Sequence, residues 1–197
     1  MGWIALGMAA LVLAGALAWY VAATRVETPA YAVEIRDGDI ELRRYSAMVV
    51  AEVTRSGDRD AAVRAAFGPL ARYIFAKGRD GDKIAMTAPV TQTSGAEGWR
   101  VRFIMPAASS LGSLPPPGGD VRLEAAPAAR VTAIRFSGRW SDANFGRAEA
   151  RLAEWLAARG LAATGPPTYA YYNDPFTPWF LRRNEVIVPV ESGSGAD

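Results

Sequence analysis

A chain of 197 residues, 50% apolar and with a formal charge of +2, is long enough for one well-buried domain and too weakly charged for a phosphate-tracking surface. It contains no His and no Cys, which excludes imidazole bases, thiolate nucleophiles, disulfides and zinc sites of the usual nitrogen and sulfur kinds. Every basic side chain except Lys77 and Lys83 is arginine, scattered without a cluster, so nucleic acid is not an expected partner.

The first element is an uncharged run of 23 residues, Gly2 to Thr24, which meets the length of a membrane span. Trp3 stands near one end and Trp19 with Tyr20 near the other, about 25 Å apart at helical rise, the spacing of two aromatic interface belts. A retained anchor over residues 1–24 is the expectation, and a cleaved signal peptide is the alternative. A lone N-terminal anchor before a soluble domain favours a periplasmic or external placement, although Arg25, counted alone, favours a cytoplasmic one. Residues 25–30 read as a tether, residues 31–190 as the domain and residues 191–197 as a frayed tail.

Within the domain, Asp37-Gly38 between apolar stretches predicts a hairpin over Tyr31 to Tyr45. A strand is expected at 48–53, a helix at 60–77, and strands at 84–90 and 99–105 by their alternation. The Pro-rich and Gly-rich stretch 105–120 is a loop. Beyond it the same order returns: a strand at 131–136, a helix at 144–159, and strands at 169–172 and 186–190. Strand, helix, strand, strand occurs twice, which implies an α+β fold with a curved or barrel-like antiparallel sheet and two helices against it.

The second helix has one apolar stripe, Phe145, Ala148, Leu152, Trp155 and Leu156, with Ser141 or Asp142 as its cap and Gly160 as its stop. The first helix carries two. Val63, Ala66, Leu70 and Ile74 make the stripe expected to face the sheet, while Arg64, Phe67, Ala71 and Phe75 follow a neighbouring line. That second stripe is either a wide core face or a ligand face. Gly68-Pro69 lies between its turns, where proline removes a backbone donor and normally bends a helix.

At 83–90 the chain reads KIAMTAPV and at 172–186 YNDPFTPWFLRRNEV. Both segments strongly resemble the SOUL family of haem-binding proteins, and the resemblance extends from about Tyr31 to Val190. It implies a distorted β-barrel of two repeated halves that binds haem or a related tetrapyrrole in an apolar groove over the first helix. Carried over position by position, the family's basic residue near a propionate falls on Arg64, and its apolar contacts fall on Phe67, Leu70 and Ala71. Phe75 continues that line. A second basic residue of some relatives falls near Pro178 and is not kept, with Arg182 and Arg183 as the nearest substitutes. The axial His of other members is absent too, so ring binding without a strong protein ligand is the expectation, and Met86 and Tyr172 are expected in the core.

Three functions follow from this reading. One is a membrane-tethered haem or tetrapyrrole carrier or buffer, with no catalytic group and no resident metal site. Another is an enzyme drawing acid-base chemistry from Glu52, Glu124, Glu185 or a Tyr, none of which shows a diagnostic spacing. The last is an interaction module presenting the aromatic segment Tyr169 to Phe180.

Overall fold

Residues 26–191 are described by the structure, a computed structural model. The expected N-terminal anchor and residues 192–197 of the tail lie outside the described residues. Among the described residues no helix is long and apolar enough to cross a membrane.

Strands β1 (Tyr31–Asp37) and β2 (Ile40–Tyr45) form the hairpin predicted at Gly38, whose φ of 60° needs a residue without a Cβ penalty. β3 (Met48–Arg55) leads into helix α1 (Arg59–Ile74), which is capped by the Asp58 carboxylate accepting the Ala61 amide. β4 (Val90–Gly95) and β5 (Gly98–Ile104) follow as a hairpin. β6 (Arg122–Ala126) and β7 (Ala129–Phe136) precede helix α2 (Asp142–Ala158). β8 (Thr168–Tyr171), a 3₁₀ turn (Trp179–Leu181) and β9 (Asn184–Pro189) are the last elements of the described residues.

The nine strands of the described residues join one sheet in the order β1-β2-β7-β9-β8-β4-β5-β3-β6, and each pair of neighbouring strands is antiparallel. β8 pairs with β4 at the centre, and each half then reads outward in matching order. The repeat seen in the sequence is therefore a repeat in space. β2 pairs with β7 and β6 with β3, so the strand before each repeat crosses to the other half and ties the halves together. β1 and β6 end the order without pairing to each other, so the expected barrel is a curled half-barrel.

Three boundaries differ from expectation. Ile84 to Ala88 alternates in sequence but forms no strand, because its backbone groups bond elsewhere: Ile84 N–H to Ile74 O (2.8 Å) and Ala88 N–H to Glu27 O (2.8 Å). The strand begins only at Val90, after the cis Ala88-Pro89 peptide. α1 runs through Pro69 and stops at Ile74, before a left-handed Ala76. β6 was not expected, since a five-residue strand beside a Pro-Gly loop leaves little periodic signal.

Alternation along each strand sorts the side chains onto two faces. Toward the helices point Ile40, Leu42, Ile134, Val186 and Val188, which close on Phe145, Leu152 and Trp155 of α2. Ala51, Val53, Val101 and Phe103 close on Ala66, Leu70 and Ile74 of α1 in the same way. The opposite face carries Arg43, Glu52, Arg102 and Glu185. The second helix behaves as its single stripe predicts, with Ser141 as cap, its hydroxyl accepting the Asn144 amide, and Gly160 at φ 63° after its end.

Candidate functional site

The second stripe of α1 is not a core face. Phe67 and Phe75 remain 44% and 38% exposed, one turn to either side of the half-buried Ala71. Beneath this line Leu70 is fully buried among the sheet residues. Leu70 is thus a core residue and no part of the exposed face, because the helix turns it a quarter-turn away from Ala71. The Phe67 ring meets Phe103 of β5 edge to face at 5.4 Å, which props it upright instead of letting it fold into the core.

Arg64 stands on the same helix face, exposed, with its guanidinium paired to Asp60 one turn earlier. Met86, expected in the core, is 43% exposed. Its segment borders the same face: Ile84 is bonded to the end of α1, and the Thr87 hydroxyl donates to Ile104 O (2.5 Å), beside Phe103. Arg64, Phe67, Ala71 and Phe75 therefore share one face of α1, and the segment that carries Met86 runs past its C-terminal end.

Arg182 and Arg183 are occupied elsewhere. Arg182 donates to Thr177 O (2.8 Å) and Pro175 O (2.7 Å), and its guanidinium lies over the Trp140 ring at 4.2 Å. Arg183 stacks on Tyr172 at 3.8 Å and pairs with Glu185 (2.8 Å), on the sheet face away from the helices. The contacts of this pair are with these residues and include none on α1.

The RRNEV segment instead builds a buried ion cluster. Glu185, with no exposed surface, accepts two hydrogen bonds from Arg43 (2.7 and 3.1 Å), two from Arg183, and one from the Tyr172 hydroxyl (3.0 Å). Burial raises its carboxyl pKa, but the Arg43 and Arg183 guanidiniums outweigh this and hold it below the usual range. Tyr172, whose phenol is pushed up by burial and by Glu185, has its oxygen engaged here and so is poorly placed as an iron donor. Asn184 accepts from Trp140 Nε1 (2.8 Å) and donates to Gly138 O (3.1 Å). The motif thus fastens the sheet. Glu52, a second candidate acid, likewise faces Arg102 at 2.5 Å, and Glu124 lies 3.8 Å from the same arginine.

An open cleft of about 310 Å³ lies between the helices, walled by Trp99, Phe145 and Tyr169 with Glu149 at its margin. Sequence reasoning missed its organiser, Arg59. That guanidinium reaches Asp142 (2.8 Å) and Tyr171 (2.5 Å) and lies over the Phe145 ring at 4.6 Å. The Tyr171 hydroxyl donates to Gln92 (3.1 Å), whose amide returns to Arg59 O (2.6 Å). This closed ring of hydrogen bonds pins the two helix starts to the centre of the sheet. Burial, offset in part by Arg59, pushes the Tyr171 phenol up to about 12, so it stays a neutral donor. No sequence signal marks Arg59, because its partner Asp142 is 83 positions away.

No curated protein matches this chain. Among solved structures, the C-terminal domain of EcmrR is similar with a TM-score of 0.60 at 14% identity, covering 77% of this chain and 96% of that one. A hydrolase from Listeria innocua is similar with a TM-score of 0.54 at 14% identity over 80% of this chain and 94% of that one. An uncharacterized conserved protein from Listeria innocua gives 0.53 at 13% identity over 85% and 94%. At these identities the likenesses concern the fold alone. The model of the family described as SOUL heme-binding protein matches residues 26–189, essentially all the described chain. With both quoted segments inside that match, the chain belongs to the SOUL haem-binding family.

Proposed function

We propose that this chain is a membrane-tethered carrier or buffer that holds haem or a related tetrapyrrole non-covalently on the exposed apolar face of α1. Two phenylalanines two helical turns apart, both left in solvent on a helix whose other stripe already fills the core, carry this reading. A planar ring laid on Phe67, Ala71 and Phe75 removes apolar surface from water on both partners. Arg64 is within reach of a propionate once it leaves Asp60, and its long stem also covers apolar area. With no His or Cys in the chain, iron has no strong protein donor on this face, so metal-free porphyrin is accommodated by the same contacts. The tether is the uncharged run 2–24, and the domain is placed on the periplasmic or external side.

Hemin titration followed by visible absorption tests the site. Phe67→Asp loses one ring contact and sets a charge against the ligand, so it weakens binding by about ten- to a hundredfold, from roughly 1.5 to 3 kcal/mol of apolar burial. Arg64→Ala weakens it by no more than about fivefold, because an exposed ion pair is worth about 0.2 to 1 kcal/mol and Arg64 already has a partner. If both variants bind like the parent and Trp99→Asp does not, the cleft between the helices is the site. Finding the mature protein without residues 1–24 would refute the tether.

A further inference from the structure

Four large apolar side chains stand in solvent on the connection between β8 and β9: Phe176 (94%), Trp179 (51%), Phe180 (58%) and Leu181 (65%). None of the four belongs to either core cluster. Isolated exposed apolar residues are ordinary, whereas four on one short loop form the kind of patch that marks an interaction surface.

The loop holds a defined shape. The Asp174 carboxylate accepts the Phe176 and Thr177 amides (2.7 and 2.9 Å), and Arg182 donates to the Thr177 and Pro175 carbonyls (2.8 and 2.7 Å). Leu181 N–H donates to Pro178 O (2.9 Å), and Trp179 O accepts the Gly138 amide (3.0 Å). Pro175 and Pro178 carry no N–H. These backbone groups have partners inside the protein, which lowers the cost of bringing the loop to the polar interfacial layer, where water and headgroups still serve the remaining amides. Arg139 lies 6.0 Å from the Trp179 ring, and the pair suits a headgroup layer.

Position decides the occupant. Val90 pairs with Tyr171, Tyr171 with Asn184 and Asn184 with Phe136, so these strand ends form one rim of the sheet, and the loop rises from it. The described chain enters at the same rim, where Glu27 accepts the Ala88 amide through its carbonyl (2.8 Å) and the Ala107 amide through its carboxylate (2.7 Å). Only three strand spacings, about 14 Å, lie between Val90 and Phe136. The uncharged run of the sequence ends at Thr24, just before the exposed Val26. Among the described residues, this rim is where the chain continues from that run.

We infer that the β8–β9 loop is a membrane-docking tip, inserting Phe176, Trp179, Phe180 and Leu181 into the interfacial layer of the bilayer that holds the N-terminal run. This rests in part on the tether reading above. Two attachments orient the domain, holding this rim at the lipid surface and leaving the α1 face beside the membrane, where an apolar ring can be exchanged.

Because the chain has no Cys, a single reporter is placed cleanly in the full-length protein. Phe180→Cys, or Leu181→Cys as a second position, is labelled with an environment-sensitive fluorophore in vesicles of phosphatidylcholine and phosphatidylglycerol. Some of the lipids carry nitroxides just below the headgroup. Glu97→Cys, on the exposed turn at the far rim, is the control. The tip label is expected to be quenched by roughly twofold or more, matching an insertion depth of about 5–10 Å, and the control label is expected to be unchanged.

A tip label as unquenched as the control, on protein that floats with the vesicles, overturns the proposal and turns the patch toward a protein partner. Flotation separates the two readings. A variant with all four apolar residues changed to serine still floats if the N-terminal run anchors the chain. If that variant stays in solution while the parent floats with its tip quenched, the tip stands and the tether falls. A parent that does not float refutes both.

Discussion

Replacing Glu185 by alanine removes the anion from a site where Arg43 is 2% exposed and Glu185 itself is fully buried. Arg43 keeps Glu41 (2.7 Å), a long contact to the Tyr45 hydroxyl (3.3 Å) and the Tyr31 ring (4.3 Å) but loses its two bonds to Glu185, so much of its charge is left desolvated. Breaking a buried pair from one side costs about 3–5 kcal/mol, a large part of the roughly 5–15 kcal/mol that stabilises a domain. At about 2–4 °C per kcal/mol for a domain of this size, the melting temperature falls by roughly 6–20 °C. Arg43→Met combined with Glu185→Leu recovers most of the loss. Glu41 still has Arg36 (2.8 Å), and Arg183, a quarter exposed, turns to water. Urea unfolding read by tryptophan fluorescence measures all three proteins. The pH dependence carries the same signature with a defined sign. The Glu185 carboxyl is held below its unfolded value of about 4.3, so its contribution is complete above that value and is lost as pH falls through the lower folded one. Glu185→Gln therefore flattens the acid limb of the stability profile. A Glu185→Ala protein within about 1 kcal/mol of the parent would refute this account of the RRNEV segment.

Other outcomes follow from the same geometry. Leu70→Ala costs about 2–5 kcal/mol in urea unfolding but leaves the hemin affinity of the folded protein unchanged, because Leu70 is a core residue; a selective loss of affinity would put it back on the ligand face. Gly98→Ala destabilises by about 2–4 kcal/mol, since a Cβ there lies 2.5 Å from Arg55 O at a φ of +122°; an unchanged midpoint would count against the tight β4–β5 turn. Hemin bound to the parent gives a spectrum without a strong protein ligand; a low-spin spectrum lost in Met86→Ala would instead identify the exposed thioether as the donor.

Much of this molecule was written in local signals. The apolar runs at Met48 to Val53 and Val131 to Phe136, the alternation at Trp99 to Met105, the helical stripe of α2 with its Ser141 cap, and Asp37-Gly38 report on neighbours a few residues away. So does the repeat of strand, helix, strand, strand, and so do the two segments that mark the family. The second stripe of α1 was legible as well, but not its meaning. Whether Phe67 and Phe75 lie under the sheet or in water depends on which face of the helix meets β3 and β5, and that is a tertiary choice. Leu70 is buried as its place on the sheet-facing stripe predicts, whereas Met86, expected in the core, stands partly in water because its segment forms no strand.

What only the tertiary structure decided are the contacts between residues far apart in the chain. Arg43 meets Glu185 across 142 positions, and Arg59 meets Asp142 across 83. Pairing distant charges requires the sheet order β2-β7-β9 and the apposition of the two helix starts, and a single sequence carries no trace of either. The swap of β2 and β6 between the halves has the same origin: each strand's own pattern says that it pairs, and only the assembled sheet says with which partner.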